Sequence, residues 1–137
     1  MIYSASLRDE TLKSDAFRRV LETTQSMQLA TMTLLPGETT GFEVHMTTEQ
    51  FFYVEAGSAF VRTRARLADA ETSETHLSVH AGGAFIVPRN TAHWVSCASE
   101  AKEPLRLFTL YSEQRHEANV VHARQAQADA ETEFVKR

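Results

Sequence analysis

Residues 37–57 read GETTGFEVHMTTEQFFYVEAG and residues 82–93 read GGAFIVPRNTAH, and these two stretches decide the fold. Each begins with glycine and carries side chains of metal-ligand type at fixed intervals, namely Glu43, His45 and Gln50 in the first and His93 in the second. The surrounding sequence consists of short apolar runs bounded by Gly, Pro, Asn or polar clusters, which is typical of β-strands joined by turns. The pattern predicts a metal pocket inside a small β-barrel.

The rest of the chain also divides into short strands. They are predicted at residues 17–23, 27–35, 41–46, 50–56, 59–66, 75–80, 84–88, 93–98 and 105–112. So many short strands without alternating long helices indicate an all-β sandwich or barrel. Before the barrel, Leu7, Leu12 and Phe17 support a short helix or arm; residues 67–75 are predicted to form an exposed hairpin loop and residues 123–133 a short terminal helix.

Length and composition narrow the class of protein. A chain of 137 residues is within the usual range of one domain, so a single domain is predicted over 1–137, with the barrel at about 17–112. The formal net charge of −4 gives no basic surplus for a nucleic-acid partner. The longest apolar stretches, such as 84–88, are far below the ~20 residues of a membrane-spanning helix. We expect neither nucleic acid nor membrane as a partner.

Cysteine content and the start of the chain bear on localisation. Cys97 is the only cysteine, so no intrachain disulfide can form. The first ten residues lack the basic-then-apolar layout of a secretory signal. A reducing compartment, and therefore a cytoplasmic location, is expected.

Strand geometry brings the ligand-type side chains together. Alternate residues of a strand face the same way, so Glu43 and His45 would project side by side, about 6.6 Å apart at Cα, and reach one ion. By the same alternation Gln50 faces inward on the next strand and His93 on a later one. Their inward neighbours are predicted to line the pocket: Phe52, Val54, Val95 and Cys97.

The two stretches resemble motifs 1 and 2 of the cupin superfamily, whose general patterns are G-x5-H-x-H-x3–4-E-x6-G and G-x5-P-x-G-x2-H-x3-N. The spacing agrees at every step, and the retained residues are Gly37, His45, Gly57, Gly82, Pro88 and His93. Segments 43–52, 90–94 and 105–122 are similar to small single-domain cupins of the mannose-6-phosphate isomerase-like cupin-2 type. The resemblance covers about 17–122 and implies a jelly-roll β-barrel with a short N-terminal arm and a C-terminal tail or short helix.

Departures from the cupin pattern change the implied ligand set. Glu43 replaces the first His of motif 1, Gln50 the usual Glu, Asn90 the second Gly of motif 2, and Cys97 a common Asn. The resemblance therefore implies one divalent transition metal ion, Fe, Mn, Ni or Zn, held by Glu43, His45, Gln50 and His93. Gln50, a neutral amide, is either a weak ligand or a holder of a water molecule. Alternatively, the polar interior binds an organic ligand without metal.

The resemblance implies a mononuclear metal-dependent enzyme acting on a small polar molecule such as a sugar derivative. The ion would polarise an oxygen in an isomerase or activate dioxygen in a dioxygenase, and the sequence identifies no catalytic residue beyond the ligands. The alternative is a non-catalytic cupin that binds a small molecule or serves in assembly, as the loss of one His and the usual Glu suggests. A homodimer is also predicted, because outward-facing Phe51, Tyr53 and Trp94 need cover from the N-terminal arm or a second subunit.

Other conspicuous polar residues are given ordinary roles. His76 and His80 share an outward strand face and are expected to be exposed, and Arg62 and Arg64 are expected on a solvated strand face. Two histidines follow the last predicted strand and are expected at the barrel rim or on the surface: His116 and His122. Cys97 has no recognisable His–Asp arrangement to activate it, so a buried packing role is expected.

Overall fold

The computed structural model describes residues 2–66 and 72–129, and most of its regular structure is β. Helix α1 (Leu7–Lys13) comes first and helix α2 (Gln125–Asp129) last. The strands between them are β1 (Arg18–Thr23), β2 (Gln28–Leu34), β3 (Gln50–Ala56), β4 (Ser58–Arg66), β5 (Thr72–His80), β6 (Ala84–Val87), β7 (Thr91–Ser96), β8 (Leu105–Tyr111) and β9 (Val121–His122). In these two ranges, no helix combines the length and apolar character needed to cross a membrane.

The strands form two antiparallel sheets. One has six strands in the order β6-β3-β8-β2-β1-β9, and the other has three in the order β5-β4-β7. Every strand pair with a defined register is antiparallel. The arrangement is a jelly roll with a short helix at each end, so the predicted all-β fold class is confirmed.

Period-two alternation places the core between the sheets. In β8 every second residue is buried, from Leu105 to Tyr111, and in β3 the buried set is Gln50, Phe52 and Val54. The core also takes residues from the other strands and the loops: Phe17, Met32, Leu34, Ala59, Val61, Val79, Val87, Val95 and Cys97. Burial of each large apolar side chain contributes about 1.5–3 kcal/mol to stability. This core fixes the strands from which the polar site projects.

The predicted strand at 41–46 is wrong. The chain there runs beside β7 but pairs with it only at two isolated bridges, Thr39 with Ser96 and Glu43 with His93. The register slips by one residue between the bridges, and Gly41 has a φ of +73° at that point. Such an extra residue disrupts a ladder and bends the strand. Segment 38–48 is therefore an irregular border of the barrel.

Other predicted boundaries also differ from the structure. The strand predicted at 93–98 is β7, which runs over Thr91–Ser96. Strand β5 begins at Thr72 because the β4–β5 pairing continues to Arg66 opposite Thr72, so residues 72–75 are strand and not loop. Residues 67–71 of the predicted loop lie outside the described residues. Of the predicted helix over 123–133, residues 125–129 are helical and 130–133 are outside the described range.

The outward-facing aromatic side chains are covered by the chain itself. Helix α1 packs against β2, β3 and β8, and the rings of Phe51 and Tyr53 both lie near Phe108, at centroid distances of 6.3 and 5.1 Å. Trp94 is flanked by the Phe42 ring at 4.9 Å and the Arg62 guanidinium at 4.5 Å. A second subunit is therefore not needed as cover at these positions, and the homodimer stays a prediction.

Candidate metal centre

Backbone pairing places the two sequence motifs side by side. Glu43 N–H donates to His93 O at 3.1 Å, and His93 N–H donates back to Glu43 O at 2.8 Å. Two residues further along, Asn90 N–H donates to His45 O at 2.7 Å, and Asn90 has a φ of +60°. Asn tolerates this left-handed conformation better than most residues, which accounts for its place where the cupin pattern has Gly. These bonds hold His45 next to His93.

The side chains of Glu43, His45 and His93 converge on one point. Glu43 Oε2 lies 3.4 Å from His93 Nε2 and 3.7 Å from His45 Nε2, and the two imidazole centroids are 5.3 Å apart. One ligand atom from each residue lies within 4.8 Å of the others. Movements of about an ångström would bring all three to the 2.0–2.2 Å bond lengths of a transition ion. Both imidazoles are buried and the carboxylate is half-buried.

The hydrogen bonds of His93 identify which ring nitrogen faces the site. Its Nδ1 lies 3.1 Å from Thr91 O, and because a carbonyl oxygen only accepts, Nδ1 carries the proton. In the neutral ring Nε2 then has a lone pair, which points toward the Glu43 carboxylate, another acceptor. Two acceptors facing each other in a buried site need a proton or a cation between them. A backbone carbonyl on the far nitrogen is also a usual partner of a metal-binding histidine.

Glu43 is held as a carboxylate. Burial on its own would raise its pKa, but the adjacent imidazoles of His45 and His93 and the positive charge of Arg18 outweigh burial. The pKa of Glu43 therefore lies well below its ordinary value. A metal ligand must be deprotonated, so Glu43 meets that requirement at neutral pH.

The amide of Gln50 has a defined orientation. Its Nε2 donates to Thr109 Oγ1 at 2.8 Å, while the Thr109 hydroxyl donates to Phe51 O at 2.9 Å. Since the hydroxyl proton is used on Phe51, Thr109 can only accept from Gln50, which places Oε1 on the other side. That oxygen is buried and has no hydrogen bond in the described structure. It has the chemistry of a fourth ligand or of an acceptor for a bound water molecule.

The residues predicted to line the pocket lie in the hydrophobic core. Phe52, Val54, Val95 and Cys97 are all almost fully buried in the main apolar cluster. The centroid of the Phe52 ring lies 6.4 Å from that of the His93 ring. Burial raises the pKa of the Cys97 thiol, in keeping with a packing role.

A cavity of about 390 Å³ opens beside the side chains of Glu43 and His45 and reaches the surface. Glu43 and His45 form part of its wall, with His93 buried behind them. The remaining wall residues come from β1 and the residue before it, β8, the segments that follow β2 and β8, and α2: Phe17, Arg18, Thr40, Phe42, Val44, Tyr111, Arg115, His116, Ala128 and Asp129. The volume is in the range of small-molecule sites.

Six polar wall residues were not assigned to the site from the sequence: Arg18, Thr40, Tyr111, Arg115, His116 and Asp129. Alternation would have placed Arg18 inward with Val20, and Tyr111 inward with Leu105 and Leu107. Arg115 and His116 lie in an irregular segment after β8, where no periodicity indicates direction. His116 is half-buried, with Nε2 3.4 Å from the Tyr111 hydroxyl. His122, expected at the rim or surface, is buried in β9 opposite Arg18.

The expected exposed residues lie away from this cavity. His76 and Arg64 are exposed and both contact Glu74, at 2.6 and 3.0 Å. These contacts lower the pKa of Glu74 to about 2, His76 having the larger effect. His80 is exposed and lies 2.7 Å from Ser58 Oγ. This outer charged cluster is separate from the candidate metal centre.

Comparisons with known proteins identify relatives along most of the chain. Residues 30–111 match the family model Cupin_2, described as a cupin domain. An uncharacterized protein of Acanthamoeba polyphaga mimivirus is 30% identical over 127 residues, which are 93% of this chain and 75% of that protein. The uncharacterized protein YrkC of Bacillus subtilis (strain 168) is 28% identical over 132 residues, 93% of this chain and 66% of YrkC.

A solved structure is similar over nearly the whole chain. The crystal structure of BH2720 from Bacillus halodurans has a TM-score of 0.85 and 30% sequence identity, with 96% of each chain covered. Because this structural match covers 96% of the chain, it extends beyond residues 30–111, the part that the family model matches, and includes the terminal elements.

Proposed function

Because the chain belongs to the Cupin_2 cupin-domain family, we propose that it is a mononuclear metal-dependent enzyme acting on a small polar molecule. Glu43, His45 and His93 hold one divalent transition ion at the inner end of the cavity, and Gln50 supplies a fourth oxygen or holds a water molecule. One observation carries the proposal: the buried Nε2 of His93 lies 3.4 Å from the carboxylate of Glu43 while Nδ1 of the same ring faces a backbone carbonyl, so a proton or a cation has to lie between Nε2 and the carboxylate.

The donor set restricts the ion. Two imidazole nitrogens and one carboxylate suit Fe, Mn, Ni or Zn, whereas Ca²⁺ and Mg²⁺ prefer sites made of oxygen alone. Such a 2-His-1-carboxylate set leaves positions open for a substrate. The cavity beside Glu43 and His45 provides the route by which a small molecule reaches them.

When bound, the ion supplies Lewis-acid polarisation of a substrate oxygen for an isomerase, or chemistry with dioxygen for a dioxygenase. An isomerase also needs a group that moves a proton. His116 is in place for this role, because it lines the cavity and its Nε2 lies 3.4 Å from the Tyr111 hydroxyl. A sugar derivative, with adjacent hydroxyl and carbonyl oxygens, is the type of molecule that such a site would bind.

A non-catalytic binding role is the second candidate. It is favoured by Gln50, because a neutral amide in place of the usual carboxylate weakens the hold on a transition ion. In this alternative the same cavity would bind an organic molecule through hydrogen bonds alone.

Metal analysis of protein purified without a histidine tag tests the first proposal. We expect near-stoichiometric Fe, Mn, Ni or Zn in the wild type and its loss in a His45→Ala, His93→Ala double variant. His80→Ala is the matched control, because it removes an exposed imidazole outside the cavity. A metal-free wild type that retains an organic ligand would support the second candidate instead.

Activity is tested separately on the metal-loaded protein. Panels of sugar phosphates, diketones and phenolic compounds cover the isomerase and dioxygenase reactions. We expect turnover of at least one class and its loss in the double variant. A fully metal-loaded sample that is inert against all three panels would contradict the enzymatic role but not the metal centre.

A further inference from the structure

The cavity wall contains a buried positive charge. Arg18 is only 3% exposed, although it lines a cavity that reaches the surface. No carboxylate among the described residues lies within ion-pair distance of its guanidinium, and its Nε has no hydrogen bond there. Burying a charge without a counter-ion is costly, so Arg18 is the group in this wall that most needs an anion.

The direct contacts of Arg18 are with neutral or aromatic groups, among them the Tyr111 hydroxyl. Its Nη1 lies 3.4 Å from His122 Nδ1, and its guanidinium carbon lies 5.6 Å from the centroid of the Phe17 ring. The Glu43 carboxylate is the acidic group whose charge acts on Arg18, but it does so from beyond ion-pair distance and itself faces the two imidazoles. The guanidinium therefore has no direct anionic partner among the described residues. The second arginine of the wall differs, because Arg115 Nη1 lies 3.6 Å from Glu113 Oε1.

A bound divalent ion would add to the positive charge of the cavity. Glu43 cancels only part of the charge of a divalent ion, and Arg18 adds a positive charge to the same cavity. Asp129 also lines the cavity but is exposed to water, where its charge is screened. A neutral ligand would leave this excess in place, whereas an anionic ligand would compensate it.

We propose that the cavity binds a small molecule carrying a carboxylate or phosphate group, whose oxygens pair with Arg18 while a second oxygen of the same molecule faces Glu43, His45 and His93. The position of the second oxygen rests on the proposed metal-dependent function, whereas the pairing with Arg18 does not. A guanidinium presents parallel N–H donors to such an oxyanion, which fixes the orientation of the bound molecule as well as its charge.

Titration calorimetry with defined probes tests this inference. The probes are glycolate, its neutral analogue glycolamide and inorganic phosphate, each added to metal-free and to metal-loaded full-length protein. Glycolate and glycolamide have the same size and hydroxyl group, so their difference reports the anionic charge. Phosphate distinguishes recognition of a phosphate from recognition of a carboxylate.

The variants are Arg18→Gln and Arg19→Gln. Both remove one arginine from β1, but Arg19 faces outward and is exposed, so Arg19→Gln is the matched control. We expect Arg18→Gln to weaken binding of the favoured anion by about 10–100-fold, as for loss of a charge-assisted hydrogen bond. Arg19→Gln should bind that anion like the wild type, and glycolamide should bind at least about tenfold more weakly than glycolate if the carboxylate is favoured.

Equal affinity of Arg18→Gln and the wild type for both anions would overturn the inference, as would failure of the wild type to bind either one. If Arg18→Gln does not fold, Arg18→Lys replaces it, because lysine keeps the charge but loses the paired donors. Anion binding by Arg18→Lys that is severalfold weaker than in the wild type supports the inference, and unchanged binding opposes it. Metal content is measured on every sample. The wild type could take up no metal and still bind an anion in a way that depends on Arg18. That result would contradict the proposed metal-dependent function but support the pairing of the anion with Arg18.

Discussion

Glu43 and His93 are joined through both backbone and side chain. Their backbones exchange two hydrogen bonds, at 3.1 and 2.8 Å, and their side chains meet with Glu43 Oε2 3.4 Å from His93 Nε2. The two residues come from different motifs, 50 positions apart in the sequence. The isolated bridge therefore sets the spacing of two proposed ligands before any ion binds, which reduces the conformational entropy lost on binding.

Replacing Glu43 by Gln should weaken metal binding sharply. The substitution keeps the shape of the side chain but removes the only carboxylate of the ligand set, and we expect the Kd for Zn²⁺ to rise by at least about 100-fold. Glu49→Gln makes the same chemical change at an exposed position and should leave the Kd unchanged. Competition with a chelating dye measures both, and equal affinity in Glu43→Gln and wild type would exclude Glu43 as a ligand.

Replacing Gln50 by Glu should have opposite effects on the metal-free and metal-loaded protein. Without metal, a buried carboxylate cannot donate to Thr109 Oγ1, so we expect a loss of about 1–3 kcal/mol in the free energy of unfolding. With metal, the added carboxylate should tighten binding and recover that loss. Denaturant unfolding with and without a chelator measures this. A variant destabilised equally in both conditions would argue against Gln50 facing the ion.

Gly57 is expected to be far less tolerant of substitution than Gly82. Both have positive φ, at +78° and +89°, so alanine costs each about 1–2 kcal/mol of stability. A Cβ at Gly57 would also clash with the backbone oxygen of Pro104 and lie 3.1 Å from Leu105 Cα, whereas nothing lies within 4 Å at Gly82. We expect Gly57→Ala to lose about 1–3 kcal/mol more than Gly82→Ala in urea unfolding. Equal losses would contradict the close approach of Gly57, between β3 and β4, to the backbone of Pro104 and Leu105.

Tyr111 should make the protein less stable at alkaline pH. Burial raises its pKa above the ordinary value of 10.0; the charge of Arg18 and a hydrogen bond with it oppose this, Glu43 raises the pKa, and Arg115 lowers it least. Because the folded pKa is the higher one, the stabilisation is complete below pH 10.0 and is lost as the pH rises through the folded pKa. Tyr111→Phe should therefore flatten the decline of unfolding free energy above pH 10.0. An identical decline in both proteins would show that Tyr111 is not buried as described.

The sequence predicted the regular parts of the fold because their periodicity reports burial directly. Strands β3 and β8 alternate apolar and polar residues along their length, and their inward faces follow from that pattern. Segment 41–46 alternates in the same way but is not a strand, because Gly41 introduces an extra residue that breaks the ladder. Local pattern alone does not reveal such a break.

The cluster of proposed ligands could be predicted because their spacing follows the two motifs. The other residues that line the cavity could not be predicted. Glu43, His45 and His93 converge as expected, although the first two lie on an irregular segment. Arg18 and His116 enter the cavity only through tertiary packing, since Arg18 comes from β1, between β2 and β9 in the six-stranded sheet, and His116 from the segment after β8. Their role depends on contacts between positions nearly a hundred residues apart, which strand periodicity does not encode.

Anomalous diffraction from crystals grown with a stoichiometric amount of Zn²⁺ tests the central claim most directly. We expect one strong peak that lies about 2.0–2.2 Å from each of three atoms: Glu43 Oε2, His45 Nε2 and His93 Nε2. A peak elsewhere, such as beside His76 and Glu74, with the buried imidazoles left without an ion, would contradict it.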